Sequence, residues 1–182
     1  MDKTQTEKLR GYAHEVLKAT QQELTHCGGV KPAFWVPIDG TLARLDLGPF
    51  GALLDSVTGK AKLFRAIRGL AKEKHFPYVV WVSEAWVGVS TEKGLAMGTD
   101  YIAQRADREG MHVMVSEGLL ARSECIMITV QCPEGTYLMR QPFERNDKNK
   151  SIRFGQTETV GEPEDGITVE MARRMKVYPE GN

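Results

Sequence analysis

The chain is poor in cysteine, carries no net charge and has no long apolar run. Its 182 residues include three cysteines, Cys27, Cys125 and Cys132, an odd number without C-x-x-C spacing. That argues against a disulfide framework and against a zinc site built on thiolates. No apolar run approaches the ~18 residues that a membrane helix requires. Residues Met1 to Arg10 are polar and lack the apolar stretch of a signal peptide, so a cytoplasmic location, with no membrane partner, is expected. The 24 basic and 24 acidic residues cancel, which argues against non-specific nucleic-acid binding as the main role.

Several catalytic signatures are missing as well. There is no G-x-G-x-x-G, and Thr58-Gly59-Lys60 lacks the upstream glycine of a phosphate-binding loop. The four histidines are scattered and form no H-E-x-x-H. No G-x-S-x-G elbow surrounds Ser83 or Ser116, so a serine-hydrolase triad has little support. Asp147, Asn149, Ser151 and Glu158 match four positions of a calcium loop, but Ile152 stands where that loop needs glycine. No cofactor and no metal site are expected.

What the chain does contain is patterned for a layered domain. Leu9, Tyr12, Ala13, Val16, Leu17, Thr20 and Leu24 form one apolar stripe at helical spacing. Thr4 and Glu7 suit a capping box, and Gly28-Gly29 suits a helix stop. Asp39-Gly40 between two strand-like runs predicts a hairpin, with Pro37 at an edge or bulge. A second helix is predicted from about Gly59 to Lys74, ended by Pro77. Tyr78 to Ser90 reads as a long central strand, and a short helix is expected from Thr99 or Asp100 to Arg108, closed by Gly110. Met111 to Ser116, Glu124 to Gln131 and Thr136 to Gln141 read as an antiparallel meander, with a further strand in Ser151 to Val160. An acidic loop, a short helix carrying Met171 and Met175, and a weakly ordered tail from about residue 176 close the chain. The expected fold is a single α+β domain: an antiparallel or mixed sheet of about five to seven strands with two long helices packed on it.

Three features bear on function. The first is a near-duplication. Val80, Val82, Ser83, Glu84 and Ser90 recur as Val113, Val115, Ser116, Glu117 and Ser123. If both segments are paired strands, Glu84 and Glu117 share a site, and His112, Asp39 or Asp100 could complete a metal-assisted hydrolase or nuclease. Catalytic candidates on that reading are Glu84, Glu117 and His112. The second feature is uneven charge. Ser56 to His75 holds six basic residues against Glu73, while Gln156 to Glu170 holds five acids and no base. Lys62, Arg65, Arg68 and Lys72 form a stripe for phosphate or an acidic partner, though the helix interleaves no outward aromatic for base stacking. The third is the set of tryptophans, Trp35, Trp81 and Trp86, of which Trp35 beside Pro37 would suit an interface if exposed.

The stretch V-S-E-A-W (Val82 to Trp86), followed by R-S-E (Arg122 to Glu124), Ile126-Met127-Ile128-Thr129 and a P-E-G turn, resembles small uncharacterised bacterial and phage proteins. That resemblance implies no activity, cofactor or catalytic residue, and it points toward an accessory product of a phage or mobile element. The sequence therefore leads to a non-enzymatic protein acting by protein–protein contact, including as a homodimer. The metal-dependent hydrolase and the nucleic-acid binder stand as alternatives.

Overall fold

The computed structural model describes residues 3–133, 135–146 and 150–160. The acidic loop, the helix with Met171 and Met175 and the tail expected at the C-terminal end lie outside these residues, as do Asp147 and Asn149 of the calcium-loop pattern. The described chain is α+β. A seven-stranded sheet, antiparallel at every pairing, runs β2-β1-β3-β4-β5-β6, with β7 also on β5.

Helix α1 (Lys3–Cys27) lies on one face of the sheet. Its buried stripe, Leu9, Ala13, Val16, Leu17, Thr20 and Leu24, is the one the periodicity marks. It packs on Val80, Val82, Ile126, Ile128, Val130 and Met139, all alternate residues of their strands. Thr4 already sits inside the helix rather than capping it. Gly28, at φ 72°, ends it by donating to the Leu24 carbonyl at 2.9 Å.

Strands β1 (Ala33–Ile38) and β2 (Thr41–Arg44) make the predicted hairpin about Asp39 and Gly40, both at positive φ. Strand β2, not β1, is the sheet edge. Pro37 is tolerated because the β1–β3 ladder ends at Trp35, leaving β1 with β2 alone. A 3₁₀ segment, Gly48–Asp55, leads into α2 (Val57–Glu73), whose first turn is capped by Ser56 accepting from Gly59 N at 2.9 Å. Helix α2 covers the opposite face of the sheet. Leu63, Phe64, Ile67 and Ala71 meet Phe34, Val36, Val79 and Trp81 there.

Strands β3 (Val79–Ser90) and β4 (Leu120–Cys132) pair along their length, from Val79↔Gln131 to Ser90↔Leu120. Val79 to Val82 are buried, but no β3 residue after Val82 is. Val87 to Ser90 and Leu120 to Ser123 pair only with each other. The hairpin therefore leaves the sheet as a two-stranded ribbon, capped by α3 (Glu92–Met97), α4 (Thr99–Glu109) and α5 (Met111–Ser116).

Helix α5 corrects the sequence reading, which expected a strand over Met111 to Ser116. Alternating V-x-V fits a strand, but the segment is bracketed by Gly110 (φ 91°) and Gly118 (φ 70°), which serve as start and stop. Burial of Met114 against Ile102, Leu119 and Leu120 then favours one helical turn over a free strand edge.

Strand β5 (Gly135–Asn146) holds β6 (Ser151–Phe154) and β7 (Glu158–Val160) on its outer edge. The register shifts by one residue between Phe143↔Phe154 and Leu138↔Val160, so β6 and β7 behave as one strand broken by a bulge. Among the described residues no helix is long and apolar enough to cross a membrane.

Candidate functional site

The ribbon and its three helices form an arm whose surface differs from the rest of the molecule. Of eight large apolar residues exposed among those described, six lie between Trp86 and Met111: Trp86, Val89, Leu95, Met97, Tyr101 and Met111. Trp86 is 46% exposed and Leu95 58%. Scattered exposed apolar side chains are ordinary; here six of the eight fall on the ribbon and its helices.

The arm is locked in shape. Thr91 begins it, accepting from Gly94 N at 3.1 Å while its own N–H donates to the Leu119 carbonyl at 3.1 Å and its hydroxyl to the Gly118 carbonyl at 2.7 Å. Lys93 Nζ donates to the Glu117 carbonyl at 2.8 Å. Gly94 is required, since a Cβ there would lie 2.1 Å from the Leu119 carbonyl oxygen. Met111 folds over Gly88, where a Cβ would lie 2.9 Å from its sulfur. Trp86 stands on the same strand face, two residues away, with the Arg122 guanidinium 3.9 Å from its ring centroid.

The two glutamates of the duplicated segment are not partners. Glu84 pairs with Ile126, six rungs from Ser90↔Leu120, and Glu117 lies beyond that end. Six residues of strand span about 20 Å. Each glutamate is held by a different arginine. Arg145 of β5 donates to Glu84 Oε1 at 2.8 Å, to Glu124 Oε1 and to the Gly28 carbonyl at 3.3 Å. Glu84 also accepts from Val30 N at 3.2 Å. Side-chain exposure is 24% for Glu84, 14% for Glu124 and 27% for Arg145. Burial lowers the Arg145 pKa, but its hydrogen bonds to the two carboxylates outweigh that and hold it above its ordinary value. This group staples the end of α1 to β3, β4 and β5. It accounts for a carboxylate in an otherwise apolar strand.

On the arm, Arg105 bridges Glu117 at 2.8 Å and Glu109 at 2.5 Å. Hydrogen bonds from Arg105 pull both carboxylates below their ordinary pKa. His112 is the second residue of α5 and is exposed to solvent, not part of a strand. The shared pocket expected of Glu84, Glu117 and His112 is thus not formed. Among the described residues no three His, Cys, Asp or Glu side chains are placed to hold a metal ion.

The other sequence candidates fall elsewhere. Lys62, Arg65 and Lys72 are exposed on α2, while Arg68 is partly buried. Trp35, which would suit an interface only if exposed, is partly buried: it packs on the α1-side core, and its buried indole N–H has no hydrogen-bond partner among the described residues. Cys125 is fully buried, and burial raises its thiol pKa to about 11, so it behaves as an apolar residue. A cavity of about 330 Å³ at the start of α1 is lined by Gln5, Lys8, Tyr12, Pro77, Tyr78 and Cys132, among others. Tyr12 and Tyr78 stack there with centroids 3.9 Å apart, and burial pushes the Tyr78 phenol up. Among the described residues no histidine or carboxylate lines the cavity to serve as acid or base.

Sequence reasoning missed Leu95, Met97, Tyr101 and Met111. The available signal was an excess: three helices of at most 11 residues carry more large apolar side chains than their buried sides use. No family model, curated protein or solved structure matches the chain.

Proposed function

We propose that the protein is a non-enzymatic accessory factor acting by protein–protein contact through the β3–β4 arm, with a second copy of the chain as the partner. The observation that carries this is the concentration of exposed apolar residues between Trp86 and Met111. Aromatic residues and methionine are enriched at contact surfaces, and Trp86, Tyr101, Met97 and Met111 supply both kinds. The pinned backbone supports the same reading, because a rigid surface loses little conformational freedom on docking. The arm also carries both signs of charge, with Lys93 and Arg108 among Glu92, Asp100 and Asp107. Two-fold pairing can therefore set acids of one copy against bases of the other. A cytoplasmic phage or mobile-element setting belongs to this proposal and rests on the V-S-E-A-W resemblance.

Sedimentation velocity from micromolar to near-millimolar protein tests it. The wild type shifts toward a dimer as concentration rises, and Leu95→Asp combined with Tyr101→Asp stays monomeric with an unchanged far-ultraviolet spectrum. A wild type that is monomeric throughout, or a dimer that the double variant retains, overturns the reading.

A further inference from the structure

Helix α2 carries a second surface of a different chemistry. Ala61, Lys62, Arg65, Ala66, Gly69 and Lys72 are all exposed on it. Lys62 to Lys72 covers eleven residues, about 15 Å of helix, and the exposed residues between the three cations are the small Ala66 and Gly69. Among the described residues no carboxylate pairs with Lys62, Arg65 or Lys72. The one acid of the helix, Glu73, pairs instead with Lys74 at 3.2 Å.

Gly69 adds an independent observation. Glycine is the poorest helix residue after proline, and in α2 it appears twice. Gly59 has a packing reason, because a Cβ there would lie 2.2 Å from the Leu53 carbonyl oxygen. Gly69 has none, with nothing within 4 Å of a Cβ at that position. What its missing side chain provides is close approach from outside, in the middle of the cationic stripe. Gly11 of α1 is equally open, but there Glu7 and Glu15 balance Lys8 and Lys18, whereas around Gly69 Lys62, Arg65 and Lys72 outnumber Glu73 three to one.

We infer that this face of α2 binds the sugar–phosphate backbone of a nucleic-acid duplex, without reading bases. A regular polyanion needs spaced cations and a low surface, and the helix offers both. The alternatives fit less well. A bilayer requires large apolar side chains to insert, and this face has none. A single strand requires exposed aromatics for stacking, and Phe64, the one aromatic of α2, is buried. An acidic protein partner would leave the apolar anchors of such contacts unprovided.

Fluorescence anisotropy with short labelled DNA and RNA duplexes, the corresponding single strands, and vesicles containing phosphatidylserine tests the inference. Arg65→Glu with Lys72→Glu is the disabling variant, and Leu95→Asp on the arm is the independent control. The expected result is binding to a duplex whose log K falls with log salt at a slope of about −2.7, for three phosphates neutralised. The charge-reversed variant loses at least about tenfold, Lys62→Ala flattens the slope by about 1, and Leu95→Asp changes nothing. The DNA and RNA arms identify which duplex is bound. No duplex binding by the wild type, binding retained by the reversed variant with a native far-ultraviolet spectrum, or tighter binding to single strands or vesicles overturns it.

Discussion

Replacing Arg145 by methionine removes the guanidinium that serves Glu84, Glu124 and the Gly28 carbonyl together. The size of the loss follows from how far the group is covered. Breaking a fully buried ion pair costs about 3–5 kcal/mol because a charge is left uncompensated. An exposed pair is worth about 0–1 kcal/mol. Here the three side chains are 14–27% exposed, so the cost lies nearer the buried limit. We expect about 2–3 kcal/mol, or a Tm lowered by about 4–12 °C for a chain of this size. Urea unfolding followed by tryptophan fluorescence measures it. Arg145→Lys should recover part of the loss, since an ammonium keeps the charge but not the fork of donors. The triple variant Glu84→Gln, Glu124→Gln, Arg145→Met should be more stable than Arg145→Met alone, because no unpaired charge remains. An Arg145→Met protein within about 0.5 kcal/mol of wild type, or a triple variant less stable than the single one, would refute the view of Glu84 as a structural fastener.

Gly94→Ala places a methyl against the Leu119 carbonyl and should cost about 3 kcal/mol or detach α3 from the ribbon, read as raised amide exchange over residues 91–97. Unchanged exchange there would contradict the close seating of α3. In the folded protein a thiol reagent should modify Cys27 rapidly and spare Cys125 and Cys132, with all three reacting in denaturant; fast labelling of Cys125 would contradict its burial and raised pKa. Burial, then Arg10 and Lys18, hold His14 below its ordinary value of 6.5, and Arg105 depresses Glu109 and Glu117. The folded state then binds fewer protons than the unfolded one, so stability falls as pH drops below about 6.5 and falls further below the ordinary carboxylate range. His14→Gln should flatten the upper part of that curve, and an unaltered slope would remove His14 from the account.

The helices are legible because their pattern, with a period of about 3.6 residues, repeats over many turns, and the first hairpin because its turn residues are specific. The α1 stripe and the basic-outside α2 repeat their signals over enough residues to fix a face, and Asp39-Gly40 fixes the hairpin register by its turn. Short segments are not legible in this way. Met111 to Ser116 alternates like a strand, and only the glycines on either side and the contacts of Met114 make it a helix. That helix removes the basis for a shared acidic pocket, because V-S-E occurs once within a strand and once at a helix end. A carboxylate such as Glu84 in an apolar strand calls for a partner. Its partner, Arg145, lies 61 residues on, and no local pattern could supply it. The exposure of Trp86 and the partial burial of Trp35 carry no local signal, since both sit in strand-like runs and only the end of the β1–β3 ladder and the lie of α1 separate them.

The arm is the centre of the functional account, and a photo-crosslinking residue substituted for Leu95 tests it most directly. Irradiation of the purified chain should yield a covalent dimer joined arm to arm, with none formed when the same residue replaces Lys18 on the exposed side of α1. A protein that stays monomeric with the probe at Leu95, or that crosslinks equally from Lys18, would contradict it.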